Sequence, residues 1–504
     1  MVSETNNDPA QEQVRPIIEW LTTAHDHAAQ EDIEILREHL KTLRLAGVPP
    51  TQQLQLLDFL FEHAQRVVDL FLPTLHDLSL PVSRKGRIRI RAVQSLLEAL
   101  SQDYLDSLEP LLDPAGSQPH RAAGVALWRS IHSLSTHLLI SNLAAAPAEV
   151  GIWQLLHRAY RIARHHGLTE QRVPRQSLNL EQEYLACVLL ACSQPATFSS
   201  IELEFIVEYI QQNIEALELS DDVPEGRSGL YWIDPTRDLP ANPLQRRSPA
   251  METPVLWYFA CDEIARIAAD HFASLKKGYP AHQLGLPAFA DKPAGRGILQ
   301  RLAERWGNPP RRRFPRRRHT YRATLCAGIE DVWQLLKSPN DLPPSTSEWM
   351  VTNESPDGCA MMHVSGKTVS LRVGDLVAIR AEAPRGEPPA NWIICIVRWG
   401  LSENPEHIEL GLQILAPSAL PAIIAIAADG VETTRASAIL LPSIPPMRPL
   451  ESLVVQSGTF ADQPEHITLV VENAHIKVRE FHPTGISEQT GSIEIFNVVA
   501  DERS

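Results

Sequence analysis

No apolar run in this 504-residue sequence reaches the ~18 to 20 residues that a membrane-spanning helix needs. The first residues carry neither the basic start nor the apolar stretch of a secretory signal, so the chain is expected to be cytoplasmic. Cysteine is sparse. The six thiols are scattered, with no CxxC and no Cys/His spacing of a zinc site, which predicts small buried apolar residues and no metal. The sequence also lacks a P-loop, a dinucleotide fingerprint, a nucleophile elbow and paired catalytic carboxylates, so no enzymatic activity is expected. The histidines of the first 166 residues show no helical zinc-protease pattern and read as exposed or satisfied side chains. Aromatics make up only 6% of the chain, and Trp128, Trp153, Trp232 and Trp257 read as core anchors. A net charge of −15 excludes a bulk nucleic-acid binder.

The length implies two or three domains. After a disordered tail over 1–9, residues 10–276 read as an all-helical domain, with apolar residues recurring at spacings of three and four. Gly47-Val48-Pro49-Pro50, Pro81-Val82-Ser83 and Asp113-Pro114-Ala115-Gly116 punctuate it. Pro147 is expected in the first turn of a helix that ends at Gly167. The Pro-, Gly- and Asp-rich stretch 221–254 reads as a long surface loop pinned by Tyr231 and Trp232, followed by a helix near 255–276. Residues 277–310 read as a linker with a connecting helix. After 320 the pattern alternates by two, in short runs rich in Thr, Val and Ile, one of them over 367–373. This predicts an antiparallel barrel over 311–416, interrupted by one helix near 329–338. Residues 417–504 are a β-rich extension or a second small barrel. No internal repeat is clean enough to count, although the helical pairs could stack as a solenoid. The fold class is therefore multidomain α + β.

One local charge cluster stands against the acidic background. Seven of the fifteen residues 308–322 are arginine and none is lysine. The guanidinium fork donates paired hydrogen bonds to phosphate oxygens, and its plane stacks on a purine. Pro315 stiffens the segment, which lowers the entropy lost on binding. Further on, Asn353 and Ser355 alternate by two at a strand end, so both side chains share a face and offer an amide and a hydroxyl to a base edge. Gly358 is expected to permit the turn that follows.

An arginine pair four apart before a strand, followed by Asn-x-Ser-x-x-Gly, resembles the PilZ domains, a family of bacterial cyclic di-GMP receptors. The likeness spans 311–416 and includes the strand-like runs 374–380 and 391–415. It implies that cyclic di-GMP is the ligand, with no cofactor and no enzymatic step. It further implies that arginines bind phosphates and stack on guanine while Asn353, Ser355 and Gly358 serve the other base. Arg312 with Arg316 is the favoured pair, Arg313 with Arg317 fits the same spacing, and Arg318 with Arg322 lies further into the strand. Three departures stand out: Cys359 occupies a position that is often glycine, Arg316 and Asn353 are far apart in sequence, and the C-terminal extension is additional.

The reading that follows is a cytoplasmic second-messenger receptor. Ligand binding at an arginine-rich hinge would be passed to a helical domain that engages an unknown protein partner. Motility, pili or biofilm is the output that the resemblance implies. The alternative is an interaction adaptor whose barrel has lost nucleotide binding.

Overall fold

The structure is a computed structural model that describes residues 9–22, 29–76, 78–112, 121–249, 255–309, 314–339, 341–343, 345–365, 368–383, 389–404, 407–426, 434–445, 448–460, 464, 466–472 and 476–501. The expected tail over 1–8, the turn at Asp113–Gly116 and the arginines Arg311, Arg312 and Arg313 lie outside the described residues.

Among the described residues, ten α-helices build the N-terminal half: α1 (Pro9–Thr22), α2 (Ala29–Leu45), α3 (Pro50–Phe71), α4 (Arg84–Leu108), α5 (Arg121–Leu143), α6 (Ile152–His165), α7 (Leu180–Cys192), α8 (Ser200–Asn213), α9 (Asp262–Lys276) and α10 (Pro293–Gly307). Their apolar stripes meet in one continuous core that runs from Val14 to Trp306. Local signals set the boundaries. Asn179 with Gln182 and Ser199 with Glu202 form capping boxes at the starts of α7 and α8. At the end of α6, Gly167 takes a φ of 65°. There the Leu168 N–H reaches the Ala163 carbonyl (2.9 Å) and the Gly167 N–H reaches that of Arg164 (3.2 Å), which closes a Schellman turn.

Several expectations change. Pro147 is not in the first turn of α6. That helix starts at Ile152, and its free N–H groups at Gly151 and Gln154 are taken by the Asp238 carboxylate (2.6 and 3.1 Å). The stretch 221–254 is not wholly loop, and it contributes to a small sheet within the helical N-terminal region. Strands β1 (Leu230–Ile233) and β2 (Asn242–Pro243) pair with β3 (Trp257–Ala260) in a three-stranded sheet. The aromatic run Trp257-Tyr258-Phe259 suits a strand better than a helix, so the helix begins only at Asp262. The connecting helix expected within 277–310 is α10, and it does more than connect, because Ile298, Leu299, Leu302 and Trp306 are fully buried in the helical core. The run 367–373 is not a barrel strand. Its Leu371 instead forms an isolated antiparallel bridge with Leu80.

The C-terminal half consists of two closed antiparallel barrels. The first contains β4 (Arg317–Ala327), β5 (Thr346–Ser355), β6 (Gly358–Ser365), β7 (Leu376–Ala381), β8 (Ile393–Asn404) and β9 (His407–Ala416), in the order β4-β5-β6-β9-β8-β7. The second contains β10 (Leu420–Ile426), β11 (Thr434–Leu441), β12 (Glu451–Gln456), β13 (Ile467–Glu472), β14 (Ile476–Gln489) and β15 (Ile493–Ala500), in the order β10-β11-β12-β15-β14-β13. The second barrel thus repeats the chain path of the first, a duplication that the sequence pattern does not display.

Each barrel has its own interior, around Trp349 and Leu410 in the first and Phe481 and Phe496 in the second. A third apolar layer joins their outer walls: Ile394 and Ile396 of β8 meet Ile439, Val454 and Ile495. Helix α11 (Ile329–Lys337) belongs to this layer, and its Trp333 indole N–H donates to the Ala422 carbonyl (2.8 Å). The helical half docks on the end of β8. Arg87 donates to the Ser402 hydroxyl (2.7 Å) and carbonyl, the Ser402 N–H donates to the Ala145 carbonyl (2.8 Å), and Leu80 and Leu371 exchange two backbone hydrogen bonds (2.8 and 3.0 Å).

Candidate functional site

Strand β4 begins inside the arginine run and pairs along β5, with Arg317 opposite Glu354 and Arg318 opposite Asn353. The next pair is Tyr321 with Val351, so His319 and Thr320 bulge against the single residue Thr352. Such a bulge re-aims the residues at a strand end. The long sequence gap between Arg316 and Asn353 therefore closes to neighbouring strands, because α11 leaves the barrel wall and packs between the barrels.

Residues directly opposite on adjacent strands share a face. One row runs Arg318, Asn353, Ala360, Gly411, Trp399 across β4, β5, β6, β9 and β8. The adjacent row runs Glu354, Cys359, Leu412, Val397, and its last three members line the barrel interior. The Arg318–Asn353–Trp399 row therefore lies on the outer wall. Trp399 covers Gly411, where any Cβ would overlap the indole, so the glycine makes room for an aromatic platform on this wall.

Within this surface, the Asn353 side-chain oxygen is buried and has no hydrogen-bond partner among the described residues. An unsatisfied buried acceptor costs about 1–3 kcal/mol, which a ligand donor would recover. Ser355 Oγ lies 2.7 Å from Asp357 Oδ1 and 3.0 Å from the Gly358 carbonyl, so its hydroxyl is held in the β5–β6 hairpin. Gly358 does not have a positive φ, and the turn role expected for it is replaced by a packing role. A Cβ at this position would overlap the Leu412 carbonyl oxygen of β9.

Arg316, Arg317 and Arg318 are exposed, and none is paired with a carboxylate among the described residues. Three adjacent free guanidinium groups make this end of the wall strongly cationic within an acidic protein. Burial pushes the Cys359 thiol up to about 12 and Glu354 adds to the rise, while the Arg316 charge opposes it. The thiol is therefore protonated and inert. Because Cys359 points into the barrel, its departure from glycine does not touch the outer wall. Burial and Glu354 likewise raise Tyr321, whose hydroxyl donates to Glu354 Oε2 (3.3 Å).

The structure thus brings Arg316, Arg317, Asn353, Ser355 and Gly358 to one end of the first barrel, with Arg312 and Arg313 outside the described residues. The sequence reading missed Trp399 and Gly411. Their only signal is a tryptophan and a glycine that fall in register once β8 and β9 pair.

Residues 15–225 match the family model described as the N-terminal domain of the cyclic-di-GMP receptor FimW. Residues 334–421 match the model of the middle PilZ domain of that receptor, which takes in Asn353, Ser355 and Gly358 and begins after the arginine run. The cyclic-di-GMP receptor FimW of Pseudomonas aeruginosa is 21% identical over 401 residues, covering 64% of this chain. The chain spans 63% of the length of that relative. No helix among the described residues is long and apolar enough to cross a membrane. The PilZ match thus falls on the first barrel, which carries the candidate site, and with the receptor match it supports a PilZ-type domain in the C-terminal half.

Proposed function

We propose that the chain is a non-enzymatic receptor for cyclic di-GMP, and that the ligand binds on the outer wall of the first barrel. The observation that carries this reading is the buried Asn353 oxygen, without a partner among the described residues, in register with Arg318, which has no carboxylate partner among them. An amide oxygen waiting for a donor suits the N–H groups of a guanine edge, and the adjacent guanidinium groups suit phosphate and the base face. The receptor named in the relative's description supports the same ligand.

In this reading Arg316, with Arg312 ahead of it, closes over the ligand from the segment that leaves α10. Arg313 with Arg317 is the neighbouring pair of the same spacing. Asn353 and Ser355 hold a guanine, and Gly358 lets β9 approach the hairpin that presents them. The Ser355 hydroxyl would exchange its hairpin contacts for the ligand. Binding at the arginine segment would then be passed to the helical half, which engages a protein partner and acts on motility, pili or biofilm. Any reorientation of the helical half would break contacts such as the Leu80–Leu371 bridge and the Arg87–Ser402 hydrogen bond, so these contribute to the coupling energy. The protein would act in the cytoplasm.

Isothermal titration of the full chain with cyclic di-GMP, GTP and cyclic GMP tests the reading. Saturable binding of cyclic di-GMP alone is expected. Absence of binding would leave a scaffold barrel and favour the adaptor role.

A further inference from the structure

The second barrel shares the chain path of the first but carries no arginine run, and one of its ends gathers a different chemistry. Ile467 of β13 pairs with Phe481 of β14, and Phe481 pairs with Ala500 of β15. Ile467 and Phe481 face the interior. One residue along each chain, His466 and His482 therefore face outward. Asp501 joins the same face, two residues beyond Val499, the direct partner of His482. Such diagonal neighbours lie within reach of long side chains. The backbone N–H of Asp501 donates to the Glu480 carbonyl (2.9 Å), which fixes it on the edge of β14.

The side chains converge. The two imidazole rings are 4.2 Å apart between centroids, and His482 Nε2 lies 2.5 Å from Asp501 Oδ1. Ligand atoms from all three residues lie within 4.8 Å of one another. His466 is exposed and the other two are half-buried, so the cluster is open to solvent.

We propose that His466, His482 and Asp501 form a binding site for a divalent first-row transition ion, with zinc as the representative. Two imidazole nitrogens and one carboxylate oxygen suit zinc, nickel or copper, whereas magnesium and calcium favour all-oxygen sets. Three protein ligands leave one tetrahedral position for water. At metal–ligand distances near 2.0–2.2 Å, ligand atoms in a tetrahedral zinc site sit about 3.3 Å apart. The ion would therefore draw His466 inward and part His482 from Asp501 by about 1 Å, movements that side-chain rotation supplies. Metal ligands bind deprotonated, so the ion would take the place of any proton between the imidazole and the carboxylate. No spacing motif announces the site, since His482 lies on β14 while His466 and Asp501 flank β13 and β15, which only the closed barrel brings together.

The test uses the full chain, freed of metal with EDTA and titrated calorimetrically with zinc chloride, with cobalt(II) absorbance as a second readout. One equivalent of zinc is expected to bind, and cobalt is expected to give the intense visible bands of a tetrahedral site. His466→Gln, at an exposed position outside the strand pairs, should weaken zinc at least tenfold. His482→Gln combined with Asp501→Asn should abolish both signals. His165→Gln with His166→Gln, an adjacent pair on the helical half, should change neither. Failure of the wild-type chain to bind zinc would overturn the proposal, as would unchanged affinity and stoichiometry in the variants at His466, His482 and Asp501.

Discussion

The two barrels follow one chain path and differ in what their walls carry. In the first, the wall across β4, β5, β6, β9 and β8 is open and bears arginines, an unsatisfied amide and a tryptophan over a glycine. In the second, Ile439, Val454 and Ile495 turn one wall into an apolar seam against the first barrel. Topology alone therefore does not make a ligand site. The same six-stranded closure serves as a binding platform or as a buttress, depending on whether the outer residues are left to solvent or buried against a neighbour.

The shared seam makes the strongest prediction. Trp349→Ala in the first interior and Phe496→Ala in the second should each cost about 3–5 kcal/mol. Because Ile394, Ile396, Ile439 and Val454 belong to one core, chemical denaturation should show both barrels unfolding together. Two separate transitions, each sensitive to only one variant, would break the account of a joined unit.

The next effect separates the walls. Arg316→Ala should weaken cyclic di-GMP binding by about ten- to a hundredfold, the worth of one charge-assisted hydrogen bond. Arg435→Ala, at an exposed position on β11 of the second barrel, should leave affinity unchanged. Equal losses in titration calorimetry would point to general electrostatic attraction rather than a site on the first barrel.

Glycines sharpen the contrast at smaller cost. Gly358→Ala should destabilise the fold by about 1–3 kcal/mol, because the new Cβ meets the Leu412 carbonyl. Gly458→Ala in the second barrel meets open space but requires a left-handed φ of 80°, with a cost of about 1–2 kcal/mol. Thermal melts of the two variants measure the difference. The smallest effect concerns the polar link between the barrels. Arg398 of β8 donates to Gln413 (2.6 Å) and to Glu488 of β14 (2.7 Å). A double-mutant cycle of Arg398→Gln with Glu488→Gln should give a coupling of about 0.5–1 kcal/mol. A coupling of zero would leave the connection to the apolar seam and the other hydrogen bonds across it, such as Trp333 to the Ala422 carbonyl.

Much of this architecture is written locally and can be read without coordinates. Helices with apolar residues at spacings of three and four, and strands that alternate by two, announce themselves, as does an arginine run ahead of a strand. Other features depend on distant partners. Trp257-Tyr258-Phe259 looks like the start of a helix until β1 supplies its partner strand. Residues 293–307 look like a connector until Trp306 is seen inside the helical core. The reason for Gly358 lies on β9, and the reason for Gly411 lies on β8. The repeated barrel path is illegible because the two barrels share strand order and no residue motif.

Hydrogen–deuterium exchange of the full chain with and without cyclic di-GMP tests the central claim most directly, because it reports both binding and place. The account predicts protection over 314–322 and 350–360 on the wall of the first barrel, and none over 434–441 or 493–500 in the second. Protection confined to the second barrel or to the helical half, with 350–360 unchanged, would contradict it.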